Sequence, residues 1–182
     1  LKTRAYGGTL SWLEADGTDE EQTDGIVATE AIEQLEKFSK SDQNFFLAVG
    51  FFKPHTPYVA PKKYFDMYDI SEIDIPQMNN EFLNTIPEPA AVSLRHKGDG
   101  KGNQYDLKKT EAQEIKRAYY ATITFLDAQV GRIIKKLKKT GLDKNTIIVF
   151  SSDHGYHLGE QGHWQKQTLY EKTTRVPLIF SG

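Results

Sequence analysis

The stretch Ser152-Asp153-His154-Gly155 sets a carboxylate and an imidazole side by side, directly after the apolar run of residues 146–150. Both are metal donors and could share one cation, although as a bare dipeptide Asp-His is more often a capped turn. A second candidate, His55, stands in Lys53-Pro54-His55-Thr56-Pro57. The two flanking prolines forbid continuation of strand or helix, so His55 sits on a stiff loop. Such a loop holds a catalytic side chain at low entropic cost, and it equally suits a structural histidine bonded to a backbone carbonyl. After Asp153-His154 come Tyr156, His157, Glu160, His163, Trp164 and Lys166, interspersed with Gly155, Gly159 and Gly162. The glycines permit a tight loop, and Lys166 returns a cation toward the same edge.

These groups need a frame. Residues 146–150 read as a strand buried on both faces, as in a parallel or mixed α/β sheet, with Asp153 and His154 at its carboxyl end, where such sheets place their chemistry. Residues 44–52 are apolar without alternation and read as a second buried strand, ending at His55. Between them, residues 106–140 carry Ile115, Tyr119, Ile123, Leu126, Val130, Ile133, Ile134 and Leu137 at helical spacing, with Gly141 as the stop. Strand, helix and strand make the order βαβ-like. A further helix is expected from Thr23-Asp24 to about residue 40, with Asp24 as its cap, and a short one over 61–68 opened by Pro61. Residues 1–22 read as an irregular lead-in and 70–105 as a long loop, in which Arg95, His96 and Lys97 could meet an anion or simply be solvated. Lys53 reads as a surface or supporting charge. Residues 176–180 read as another strand with Pro177 near its start.

A chain of 182 residues with 38% hydrophobic and 26% charged residues fits one ordinary globular domain. A net charge of -2 gives no basic field for nucleic acid, and the five basic residues between Arg132 and Lys139 read as a solvated helix face. No stretch is long and apolar enough for a membrane span. With no cysteine, neither a disulfide nor a thiolate metal site is available. The chain opens on Leu1-Lys2-Thr3-Arg4 and closes on Ser181-Gly182 straight after an apolar run, so both ends read as cuts in a longer protein.

Taken together, Ser152-Asp153-His154-Gly155, Leu158-Gly159-Glu160, Trp164-Gln165-Lys166 and Arg175-Val176-Pro177-Leu178-Ile179 resemble the second metal and sulfate motif of the sulfatases. Phe45-Phe46-Leu47-Ala48-Val49-Gly50 with the Lys53–Pro57 loop resembles that family's preceding histidine loop. Tyr119-Tyr120-Ala121 and residues 126–131 fall in the expected place on the long helix. Within the family, Lys-Pro-His and Asp-His-Gly are most similar to iduronate-2-sulfatases, since many members carry Asn where His154 stands. The resemblance covers about residues 20–182. It implies part of an alkaline-phosphatase-like α/β fold, a mixed and mostly parallel sheet flanked by helices.

The resemblance further implies that Asp153 and His154 hold a divalent cation, with calcium as the first choice although imidazole is less typical of it. His55 would bond the sulfate ester and protonate its departing oxygen, and Lys166 would stabilise the anionic sulfate oxygens. Tyr156 and His157 would touch the sugar or pack the loop, while Glu160, His163 and Trp164 are structural. The substrate implied is a sulfated glycan, and the setting periplasmic or secreted. The family's nucleophile is a formylglycine made from Cys or Ser in Cys/Ser-x-Pro-x-Arg, and neither form occurs in these residues, nor does the family's early Asp-Asp pair. Residues 1–182 are thus expected to be the central part of a sulfatase catalytic domain, lacking its nucleophile segment and its carboxyl-terminal subdomain, and to be inactive alone. The rival readings are a phosphoesterase or phosphonate hydrolase of the same superfamily and a noncatalytic module that binds sulfated glycans.

Overall fold

A computed structural model describes residues 2–4, 7–77, 81–94 and 107–182. The strands and helices are, in chain order, β1 (Lys2–Arg4), β2 (Gly7–Ala15), α1 (Thr23–Phe38), β3 (Tyr58–Pro61), α2 (Lys62–Phe65), α3 (Phe82–Thr85), α4 (Glu88–Leu94), α5 (Lys109–Thr140), β4 (Ile148–Ser151), β5 (His157–Leu158), β6 (Trp164–Gln165), α6 (Glu171–Thr174) and β7 (Leu178–Ser181). They fall into two compact units, residues 1–73 with 114–147 and 182, and residues 74–113 with 148–181.

In the first unit β2 is the middle of a three-stranded sheet, antiparallel to β1 and parallel to β3, with Trp12 opposite Tyr58 and Ala15 opposite Pro61. The irregular lead-in expected over residues 1–22 is therefore a strand in large part. Leu10 and Trp12 are buried with Ser11 between them, too short an apolar signal to mark a strand. What makes it one is β3, more than forty residues further on. Residues 44–52, by contrast, are extended but have no ladder partner among the described residues. Their side chains alternate between half-buried and exposed, with Phe46 92% exposed, so the expected buried strand is absent. Phe45 on the inner side stacks on Phe38 of α1 at 4.7 Å. Apolar composition makes a strand only where a neighbouring backbone takes up its amides and carbonyls.

Helix α1 has the expected span but not the expected face: it buries Ala28, Ala31 and Leu35 and leaves Ile26 exposed. Its cap is Gln22, so Asp24 is not the cap but an interior residue of the first turn. Helix α5 forms as expected and ends at Gly141, whose φ of 76° is the left-handed conformation glycine adopts freely. Its buried stripe is Ile115, Ala118, Ala121, Thr122, Phe125, Gln129 and Leu137, whereas Ile123 is exposed. Alanines let the helix approach closely, while larger rings reach across from its flanks. Tyr119 meets Tyr58 edge-on at 5.7 Å, and Phe125 meets Tyr64 at 5.5 Å. Arg117 binds the carbonyls of Phe65 and Tyr68, closing the last turn of α2 onto α5. Arg132 and Lys136 are half-buried and paired with Glu20 and Glu36, so the basic run is not purely a solvated face.

In the second unit β4 pairs with β7 in antiparallel register, Val149 opposite Phe180. The expectation that this strand is covered on both faces is not met: Val149 and Phe150 of β4 and Leu178, Ile179 and Phe180 of β7 are exposed. No described element of this unit lies over them. The stretch read as a long loop holds α3 and α4, with Ala91 and Leu94 buried and Ala90 accepting a hydrogen bond from the Tyr170 hydroxyl at 3.0 Å. Arg95, His96 and Lys97 lie outside the described residues. No helix among the described residues is long and apolar enough to cross a membrane.

Candidate active site

His55 belongs to the first unit, and Asp153, His154, Tyr156, His157 and Lys166 to the second. Both peptide bonds Lys53-Pro54 and Thr56-Pro57 are cis, and the amide of His55 closes a turn on the carbonyl of Phe52 at 3.0 Å. The imidazole is exposed and leans on the Phe52 ring at 5.0 Å. Its Nδ1 is 2.8 Å from the carbonyl oxygen of Thr56. A carbonyl only accepts, so Nδ1 must carry the proton there, and Nε2 is the ring atom left for exchange with a ligand.

Beneath this loop sit two residues that sequence reading set aside. Asp24 is buried, and its two carboxylate oxygens accept from the amides of Phe52 and Lys53, both at 2.9 Å. Lys53 is buried too, not a surface charge, and its ammonium donates to the carbonyls of Pro57 at 2.6 Å and His55 at 3.3 Å. Burial pushes the Lys53 amine down to about 8, against the opposing pull of the Asp24 charge. Asp24, Phe52, Lys53, Pro57, Val59 and Phe125 line a cavity of about 190 Å³. Nothing in the local sequence marks Asp24 as anything but a helix start, because its partners lie 28 and 29 residues away.

In the second unit Asp153 follows β4 after Ser152, and its side chain is 84% exposed. Its Oδ1 accepts from the amide of His154 at 2.9 Å, while Oδ2 lies 3.4 Å from His154 Nε2. His154 Nδ1 is 2.8 Å from the carbonyl of Gly155, which by the same reasoning fixes the proton on Nδ1 and leaves the Nε2 lone pair beside Asp153 Oδ2. Partial burial works against ionisation of Asp153. The His154 amide and the Lys166 cation outweigh it, so the carboxyl is held below its usual range. One carboxylate oxygen and one imidazole nitrogen thus converge as a pair of donors that fits a divalent cation. Among the described residues no third His, Cys, Asp or Glu joins them.

The loop that follows is tightly built. The Gly155 amide donates to the Thr173 carbonyl at 2.9 Å, and a Cβ on Gly155 would stand 2.1 Å from the carbonyl oxygen of Lys172. Gly155→Ala is therefore expected to destabilise this unit by about 1–3 kcal/mol, read as a lowered denaturation midpoint with unchanged slope. Lys166 is half-buried between Gln165 and Gln167, whose φ values of 78° and 75° are uncommon for residues with a Cβ. Glu160 is structural as expected, accepting from the Leu158 amide at 2.7 Å, and Trp164 is buried under Gly159.

Tyr156 is half-buried, but His157 is wholly buried. Its ring meets His163 edge-on at 4.8 Å, and its Nε2 is 3.2 Å from the Thr168 hydroxyl. Of the two roles open to His157, packing of the loop is the one this burial serves. Burial, with the His163 charge second, pushes the His157 imidazole down to about 4. A group whose folded value is depressed binds its proton more readily when unfolded, so this histidine contributes full stability above about pH 6.5 and loses it as pH falls toward 4. The loss amounts to roughly 3 kcal/mol from this group. Denaturant melts between pH 7 and 4 should show it, and His157→Gln should flatten the dependence.

A sulfatase family profile matches residues 3–182. A sulfatase of Formosa agariphila is 40% identical over 149 residues, covering 81% of this chain and 29% of that protein. Human iduronate 2-sulfatase is 35% identical over 159 residues, covering 83% of this chain and 29% of that protein. The phosphonate monoester hydrolase of Agrobacterium radiobacter superposes with a TM-score of 0.77 at 28% identity, over 95% of this chain and 35% of that one. The chain thus spans less than a third of the length of these two curated relatives.

Proposed function

The chain belongs to the sulfatase family, and from that footing we propose that the whole protein hydrolyses sulfate esters of glycans, a sulfated uronic acid first among them. Its fold is of the alkaline-phosphatase-like α/β type. The observation that carries the reading is the state of His55: an exposed imidazole whose Nδ1–H is committed to the Thr56 carbonyl, so that Nε2 is the ring atom left to a ligand and, in the imidazolium, the one whose proton can be given up.

In this reading Nε2 of His55, protonated, bonds the ester oxygen of the bound sulfate. As the sulfur–oxygen bond breaks, the electron pair goes to that oxygen and the Nε2 proton follows it, so the sugar leaves as a neutral alcohol. Lys166 bonds the non-bridging sulfate oxygens, a charge-assisted contact that gains strength where water is excluded. Asp153 Oδ2 and His154 Nε2 would hold a divalent cation, calcium by preference. What these two residues would gain from such an ion is Lewis-acid polarisation of the sulfate oxygens. Formylglycine is the nucleophile proposed for the whole protein; these 182 residues contain no cysteine to form it. The 182 residues alone are accordingly expected to show no turnover. Tyr156, half-buried on the glycine-rich loop, is the residue of that loop proposed to meet the sugar.

Sulfate release by the whole protein from a disaccharide bearing a uronate 2-sulfate tests the substrate. Release well above that of an enzyme-free blank and that from choline sulfate is expected. Release from choline sulfate alone would remove the glycan from the proposal. A second reading, hydrolysis of phosphonate or phosphate monoesters, is favoured by the likeness to the phosphonate monoester hydrolase. The same His55 chemistry serves either ester, since in both an alcohol must leave with a proton.

A further inference from the structure

Sulfate ester chemistry, in the reading above, uses His55, but an exposed imidazole on a loop is not by itself a defined acid. Its ring must present one nitrogen and hide the other. The groups that could enforce this all lie in the first unit and none of them touches a substrate in that reading. Asp24, in the first turn of α1, takes both amides at the start of the loop on its two oxygens. Lys53 reaches under the loop and donates to the carbonyls of His55 and Pro57. Between these anchors the His55 amide turns back on Phe52, whose ring carries the imidazole on one side and lies 4.8 Å from the Lys53 ammonium. The loop is thus held at four backbone points by two buried charges.

We infer that Asp24 and Lys53 are positioning residues for His55, a buried carboxylate and a buried ammonium that clamp residues 52–57 so that His55 Nδ1 stays on the Thr56 carbonyl and Nε2 faces the ligand. The inference rests on the proposed role of His55, but it makes a claim about the ring that holds without turnover. Burying two charged groups is costly, and each here is offset by paired hydrogen bonds to backbone that lacks regular secondary structure. A surface loop with no function for its geometry has no need of such an arrangement. The depressed Lys53 amine agrees with an ammonium held out of water.

Two variants separate the clamp from the fold. Lys53→Met keeps the stem and removes both donors to the loop. Asp24→Asn keeps size, but its amide group faces one backbone N–H with another, so only one of the two amides remains bound. The whole protein, labelled with ¹⁵N-histidine and with the His55 signals assigned by His55→Gln, is observed at about pH 7, below the value of about 8 to which burial pushes Lys53, so that its ammonium is kept. Expected is a single tautomer with the proton on Nδ1 in the parent, and a mixture with protonated Nε2 in each variant. Hydrolysis of a sulfate ester should lose about 10- to 100-fold in kcat, with KM changed by less than about threefold, because the substrate contacts remain and only the aim of the acid is lost. If Lys53→Met does not fold, Asp24→Asn carries the test. An unchanged His55 tautomer in the folded variants overturns the inference, whatever the rates. A shifted tautomer together with full turnover by His55→Gln would leave the clamp standing and remove His55 from the chemistry.

Discussion

Replacing His55 by glutamine is expected to lower kcat for a sulfated sugar by roughly 10²- to 10⁴-fold, the usual worth of a positioned general acid. The substitution should leave the denaturation midpoint within about 0.5 kcal/mol, since the ring is exposed and its one side-chain bond is to the neighbouring carbonyl. Glutamine keeps a donor near the ester oxygen but cannot surrender a proton. The loss should therefore depend on the alcohol that leaves. A sugar alkoxide needs the proton in the transition state, whereas a nitrophenolate departs without it, so the same variant should lose less than about tenfold on an aryl sulfate with an activated leaving group. Equal losses on both esters would make His55 a binding residue only.

The second large effect is expected at Asp153. Asp153→Asn preserves shape and can still accept the His154 amide through its carbonyl oxygen, but it removes the one negative charge that faces His154 Nε2. A hard divalent cation depends on anionic oxygen, so affinity should fall by about 100-fold or more and turnover at limiting metal should fall with it. Metal content of the purified protein by mass spectrometry, and the metal concentration that half-restores activity after chelation, measure the two effects. Because Asp153 is largely exposed, folding should be little affected. A variant that keeps the parent's metal content and half-saturation would show that the pair Asp153-His154 is the capped turn it otherwise resembles.

Sequence legibility divided along physical lines. Helices α1 and α5 and the stop at Gly141 follow from local periodicity and backbone preference, and these were readable. Their buried faces were less so: Ala118 and Ala121 won over Ile123 because close approach favours small residues, and Phe125 because its ring meets Tyr64, neither of which hydrophobicity alone weighs. Strands depend on partners. The apolar residues 44–52 have none among the described residues, while Gly7–Ala15, weak in pattern, is paired on both sides. Of the candidate site, the chemical types at His55, Asp153, His154 and Lys166 stand out in the chain, whereas burial decides among their neighbours. His157 looks like a second exposed imidazole in the string of letters, yet it is wholly enclosed beside His163. Asp24 and Lys53 are the reverse, ordinary in sequence and notable only once the chain has brought a helix start beneath a proline loop.

The roles of His55, Asp153 and Lys166 all presuppose that the whole protein acts on sulfate esters. Its kcat/KM for a sulfate monoester and for a phosphonate monoester of the same alcohol, measured with one metal-replete preparation, tests this most directly. The expected result is a preference for the sulfate ester of at least about 100-fold, with His55→Gln reducing that activity. A preference for the phosphonate ester, or turnover of neither, would contradict it.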